Sequence, residues 1–150
     1  MQVQVRRAVP ADGPAYVGLV RALAEFEWLP PPDEQACIRL VADAFADPPR
    51  YELWIGELDG EVVAYAATFM TYSTFRALPS LYLEDIFVHP ASRRAGVAKA
   101  LLTRLREDAV ARGCGRFEWM CLDWNSNAKV LYSQFGAKEN ADFRLWRMEL

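Results

Sequence analysis

The chain has 150 residues, 53% of them hydrophobic, and a formal net charge of -3. That length fits a single globular domain over residues 1–150. The mild acidity is the wrong sign for a nucleic-acid face, and no apolar run is long enough to cross a membrane. Cys37, Cys114 and Cys121 show neither disulfide nor metal-ligand spacing, and the N-terminus lacks a signal-peptide pattern. The expected setting is the cytoplasm, with reduced thiols and no metal. With His89 as the only histidine, a metal centre or a Ser/His/Asp triad is not expected either.

Residues 2–8 alternate polar and apolar, as a half-buried strand does. Pro10-Ala-Asp-Gly-Pro14 is a turn, and Asp12 is placed to cap a helix over residues 14–27. Pro30, Pro31 and Pro32 forbid helix and impose an extended segment. Asp33 opens a second helix that runs to about Ala46. Asp59-Gly60, between strand patterns at 51–58 and 61–72, is a hairpin signal. Residues 72–79 read as a loop and 81–88 as a strand that Pro90 ends. A helix runs from Gly96 to the stop at Gly113, followed by a strand over 116–122. A short helix covers 125–135 and stops at Gly136, and an alternating strand covers 143–150. The order β-α-α-β-β-β-α-β-α-β predicts an α+β fold, a single mixed, mostly antiparallel twisted sheet with helices on both faces.

Several stretches carry more than a core needs. Arg93-Arg94-Ala95-Gly96-Val97-Ala98 runs straight into a helix N-terminus, where unpaired N–H groups and the helix dipole favour an anion. Gly96 and Ala98 admit a close ligand, and the arginines add charge, which points to a phosphate-bearing molecule. Glu84 and Asp85 interrupt an apolar strand. Strict alternation places Leu83, Asp85 and Phe87 on one face and Tyr82, Glu84, Ile86 and Val88 on the other. Burying an unpaired carboxylate is costly. The two acids are therefore either solvated or ion-paired, or they serve as a base or a cation-binding group in a cleft. Asn125 stands where a strand meets a helix, and Tyr132 returns to nearly the same helix face two turns later. Tyr132 alone reads first as a core side chain, and second as a proton donor. Glu25-Phe26-Glu27-Trp28 is either a polar helix end or an acidic, aromatic holder of an organic cation.

Arg93-x-x-Gly96-x-Ala98, after a strand ending Val88-x-Pro90, resembles the (Gln/Arg)-x-x-Gly-x-(Gly/Ala) motif of the GNAT family of N-acetyltransferases. Leu23-Ala-Glu-Phe-Glu27, Leu81-Tyr-Leu-Glu-Asp-Ile-Phe-Val88, Leu122-Asp-Trp-Asn125 with Tyr132 beyond it, Phe135-Gly-Ala137 and Arg144-Leu-Trp146 resemble its diamine branch, which includes spermidine/spermine and thialysine acetyltransferases. The resemblance implies acetyl-CoA as cosubstrate. Ile86, Phe87 and Val88 would hold its arm through backbone bonds. Arg93, Arg94, Ala95, Gly96, Val97, Ala98 and Lys99 would hold the pyrophosphate, with Asn125, Ser126, Asn127 and Ala128 lining the other side. Tyr132 falls on the proton donor to the CoA thiolate, and Glu84 on the carboxylate that receives the amine. Phe26 and Glu27 fall on a substrate-binding pair, and Glu118 toward the substrate channel. The implied activity is direct acetyl transfer to a primary amine of a small molecule (polyamine, diamine or thialysine-like amino acid) by a homodimer. A protein N-terminus or lysine as acceptor, and a non-catalytic acetyl-CoA-binding module, are the alternatives. Phe26 departs from the tyrosine usual in diamine enzymes, Ala98 replaces a glycine, and Arg76 adds bulk before the central strand.

Overall fold

Five strands form one sheet in a computed structural model that describes residues 1–150. The chain divides into two units, 1–120 and 121–150. The first holds β1 (Val3–Arg7), α1 (Gly13–Phe26), α2 (Glu34–Ala44), β2 (Glu52–Leu58), β3 (Glu61–Ser73), β4 (Leu78–Val88), α3 (Val97–Ala111) and β5 (Arg116–Trp119). The second holds α4 (Ser126–Phe135). Strand order follows the chain, antiparallel from β1 to β4 and parallel between β4 and β5. The mixed α+β sheet expected from the sequence is therefore present.

Local chemistry explains most boundaries. Asp59 and Gly60 both take positive φ, 52° and 85°, as the tight turn between β2 and β3 requires. Asp33 accepts a hydrogen bond from the Ala36 N–H at 2.8 Å and so caps α2. Asp12 does not cap α1 as its position predicts. Its carboxylate instead accepts both terminal nitrogens of Arg6, at 2.8 and 2.9 Å, and the Val9 N–H at 2.8 Å. Charge-assisted, forked bonds outcompete a neutral cap.

Tyr16, Leu19, Ile55, Tyr65 and Phe87 pack into one apolar cluster under α1 and α2. The neighbouring Gly56 meets α3: a Cβ there would lie 2.8 Å from Val97 Cγ1 and 3.0 Å from Ala64 Cβ. Since adjacent strand residues point to opposite faces, α1 and α2 cover one face and α3 the other.

Two departures concern β4. It begins at Leu78, so the expected loop over 72–79 shrinks to a tight turn between long strands. More important, Ala67 pairs with Asp85 and Thr68 with Leu83, which leaves Glu84 as the extra residue of a β-bulge. The bulge puts Leu83 and Asp85 on opposite faces, against strict alternation. Asp85 stays with Ala67, Tyr65 and Phe87, on the face that α1 covers.

In the second unit Asn125 caps α4, its side-chain oxygen accepting from the Ala128 N–H at 3.2 Å, and Gly136 ends it at φ 99°. Residues 143–150 form no strand, and every one of them is exposed. The predicted last strand is thus corrected. Alternation qualifies a segment for a sheet, but only a hydrogen-bonding neighbour makes it a strand.

Candidate active site

The bulge at Glu84 coincides with an opening in the sheet. β4 pairs with β5 only from Ser80 to Leu83, opposite Arg116 to Trp119, yet β4 runs on to Val88. From Glu84 to Val88 only β3 is paired with it. The His89 N–H donates to Val63 O on β3 at 2.8 Å. By the period of the strand, Val88 directs its N–H and C=O to the open side. Ile86 and the Val88 N–H therefore offer main-chain groups to an extended, amide-bearing ligand, as the resemblance implies, while the Val88 C=O already accepts from Arg93.

Carboxylates gather beside this opening. Asp85 is half-buried, and its Oδ2 accepts the Tyr65 hydroxyl at 3.1 Å. Burial holds its pKa above the usual carboxylate value; the Tyr65 bond opposes this, and the charge of Glu84 adds to it. Glu27, immediately after α1, is also shifted up, by burial and then by the charge of Asp85. On β5, Glu118 pairs in register with Tyr82. Burial raises the Tyr82 phenol, and the charges of Glu84, Asp85 and Glu118 raise it further. Glu84, Asp85 and Glu118 thus all act on Tyr82, Asp85 acts on Glu27, and the four acids are all without a salt bridge. Elsewhere Asp12, Glu52, Glu57 and Asp108 each meet an arginine. A converging set of acids without a cation is suited to an ammonium group.

The loop after β4 leads into α3 through left-handed residues, Arg94 at φ 64° and Gly96 at φ 84°. No side chain caps α3, and a Cβ on Gly96 would meet nothing within 4 Å. The first N–H groups of α3 are thus available to an anion. Arg94 and Lys99 are exposed on this stretch, and Val97 turns into the core at 2% exposure. Arg93 points elsewhere: its Nε donates to Val88 O at 3.1 Å, and its Cζ lies 4.5 Å from the Phe26 ring centroid and 5.6 Å from that of Phe87. In the second unit, Tyr132 is half-buried on α4, on the face that the Asn125 cap begins.

Residues 19–137 match the model of the acetyltransferase (GNAT) family. The chain belongs to the GNAT acetyltransferase family. It is 32% identical to the thialysine N-epsilon-acetyltransferase of Bos taurus over 96% of this chain and 89% of that protein. It is also 41% identical to the L-ornithine N5-acetyltransferase of Arabidopsis thaliana, over 68% of this chain and 45% of that one. A crystal structure described as a possible acetyltransferase from Clostridium difficile 630 superposes with a TM-score of 0.85 at 18% identity, covering 100% of this chain and 99% of that one. As a GNAT member the chain is an N-acetyltransferase.

Of the residues singled out in the sequence, the first unit brings Glu84, Asp85 and Glu118 to bear on Tyr82 and Asp85 to bear on Glu27, and sets Phe26 under Arg93. The sequence singles out Asp85 together with Glu84, while the resemblance implies a role for Glu84 alone. Tyr65, which bonds Asp85, is the residue that sequence reasoning missed: it sits in an apolar stretch of β3 and reads as core.

Proposed function

We propose that this GNAT enzyme moves the acetyl group of acetyl-CoA to a primary amine of a small, cationic molecule (a diamine, a polyamine or a basic amino acid) within one catalytic domain over residues 1–150. The observation that carries the reading is the half-buried Asp85, bonded to Tyr65 but without a cation, in the field of Glu27 at the open edge of β4. The family match at 19–137 and the names of the relatives support it.

Alkylamines have a pKa near that of lysine, about 10.4, and arrive protonated. Glu27 and Asp85 attract the ammonium into the field described above. Asp85, whose raised pKa brings it nearer to that of its partner, accepts the proton and frees the amine lone pair. Tyr65 holds the receiving carboxylate in place. Glu84 and Glu118, both exposed, form the outer part of the path and pass the proton to water. When bound, acetyl-CoA supplies an activated thioester. The Ile86 and Val88 backbone would hold its arm along the β4 edge, Phe87 between them turning its main chain to β3, and the Val88 N–H would stabilise the developing oxyanion. The main chain from Arg93 to Lys99, with the charge of Arg94 and Lys99, takes the pyrophosphate. Asn125, Ser126, Asn127 and Ala128, in the second unit, are the further cofactor-binding residues of this reading, and Tyr132 is its proton donor to the leaving thiolate. The chain acts in the cytoplasm as a homodimer in this reading. Phe143 and Trp146, 79% and 92% exposed, supply apolar surface for a second copy.

The test is thiol release from acetyl-CoA with putrescine, spermidine, thialysine, ornithine, lysine and a short peptide side by side. Turnover of one or more of the small amines is expected, and Tyr132→Phe should lower kcat about 100-fold with acetyl-CoA affinity changed far less. Turnover of the peptide alone would overturn the reading, as would acetyl-CoA binding with no acceptor at all.

A further inference from the structure

We infer that Arg93 is a positioning residue that couples the two substrates, linking the cofactor loop to the amine-facing end of α1 through its stack on Phe26. The inference rests on the proposed function and adds a task for Arg93 that the loop motif does not assign. Arg93 opens the loop, but its guanidinium reaches back over the sheet edge. It donates Nε to Val88 O at 3.1 Å and lies over Phe26, with Cζ 4.5 Å from the ring centroid. The Phe26 ring is in turn 6.3 Å from that of Phe87 on β4. Phe26 is the last residue of α1, and Glu27 follows it at the C-cap. One side chain thus touches the open edge where the acetyl-CoA arm would run and the residue that sets the place of Glu27.

The chemistry of arginine suits this position. A planar guanidinium stacks on a ring and keeps N–H donors free in its own plane, which a lysine ammonium does not. Arg93 forms no salt bridge: within the chain its guanidinium group meets two ring surfaces and one carbonyl, and the residue is otherwise open to solvent. Its remaining donors are available to an anion arriving at the loop. Phenylalanine, in place of the tyrosine usual among diamine enzymes, gives the guanidinium a ring without a polar edge. The backbone at both ends of the stack is strained. Trp28, directly after Glu27, has φ 59°, and Arg94, directly after Arg93, has φ 64°. Left-handed conformations of non-glycine residues cost on the order of 1 kcal/mol each and persist where their surroundings hold them. The strained pair brackets the contact. An anion that orders the loop therefore favours Phe26 docked under Arg93, and with it Glu27 close to Asp85, the arrangement an ammonium needs. Linkage makes the effect mutual: each substrate tightens the other by the same factor.

The experiment is isothermal titration of CoA, the unreactive product, with and without saturating spermidine, or whichever amine the turnover panel ranks first. In the wild type the amine should tighten CoA about fivefold, the size of one cation–π contact, and CoA should tighten the amine equally. Phe26→Leu and Arg93→Lys should each bring that factor below twofold, and Phe26→Tyr, which keeps a ring, should retain it. Thermal melts confirm that each variant is folded. A factor that survives Phe26→Leu, a factor that Arg93→Lys retains in full, or no coupling in the wild type would each overturn the inference. Failure of the underlying reading looks different: the wild type then releases no thiol with any small amine, whereas turnover with unaltered coupling in the variants removes the inference alone.

Discussion

Asp12 and Asp85 are both aspartates withdrawn from water, and the protein treats them in opposite ways. Asp12 is 7% exposed and clasped by the fork of Arg6, with the Val9 N–H as a further donor. Those bonds hold its carboxyl below the usual value against the pull of burial. Asp85 has a phenol for a partner and two further carboxylates in its field, and its pKa lies above the usual value. Burial is common to both, so the cation decides the sign. At Asp12 the chain supplies its own cation, and the result is a fixed corner between β1 and α1. At Asp85 the chain supplies no cation, as the proposed amine site requires.

The largest effect expected from this contrast is on turnover. Replacing Asp85→Asn and Glu27→Gln together should lower kcat/KM for the amine by about 1000-fold or more, about 4 kcal/mol of transition-state stabilisation, with the fold intact. Stopped thiol-release assays and a melt of the same sample check both halves. Next is the structural corner. Asp12→Ala leaves the Arg6 guanidinium with Glu57 as its one carboxylate and strips the Val9 N–H of its acceptor. A loss of about 3 kcal/mol in urea denaturation is expected. The smallest effect is the most diagnostic. Asp85 and Glu27 bind protons more readily folded than unfolded, so their contribution to stability falls as pH rises from the ordinary carboxylate range through their raised values. Asp85→Asn should therefore stabilise the fold at pH 7 by about 1 kcal/mol, and the gain should vanish toward pH 4. Asp12 has the opposite sign: its stabilisation is full above the ordinary carboxylate range and fades as pH falls below it. Melts of both variants against pH should show gaps of opposite sign that close on acidification.

How far the sequence could be read depended on whether a feature is local. The Asp59-Gly60 turn, the Asn125 cap and the Gly96 entry to α3 depend on a few neighbouring residues, and each was legible. The bulge was not. Nothing between Leu83 and Ile86 marks it; it arises from the register of β4 against Ala67 and Thr68. Strict alternation therefore gave each face one carboxylate and did not tell the exposed Glu84 from Asp85, which faces the α1 side with Tyr65. Asp12 shows the same limit, because the competing Arg6 comes from the preceding strand. Residues 143–150 show it again: their alternation is real, but the pairing that would make a strand lies outside the segment itself. Arg93 was legible as part of a phosphate loop, but its contact with Phe26 needed the three-dimensional return of the loop to α1.

The central proposal is that the half-buried Asp85, which no cation of the chain neutralises, receives the amine, with the exposed Glu84 as the outer acid. Its most direct test is kcat/KM for one small diamine, measured for Asp85→Asn and Glu84→Gln at the same pH and saturating acetyl-CoA. The account predicts a loss of about 100-fold or more for Asp85→Asn and less than about tenfold for Glu84→Gln. Near-wild-type turnover in Asp85→Asn, with the large loss in Glu84→Gln instead, would contradict it.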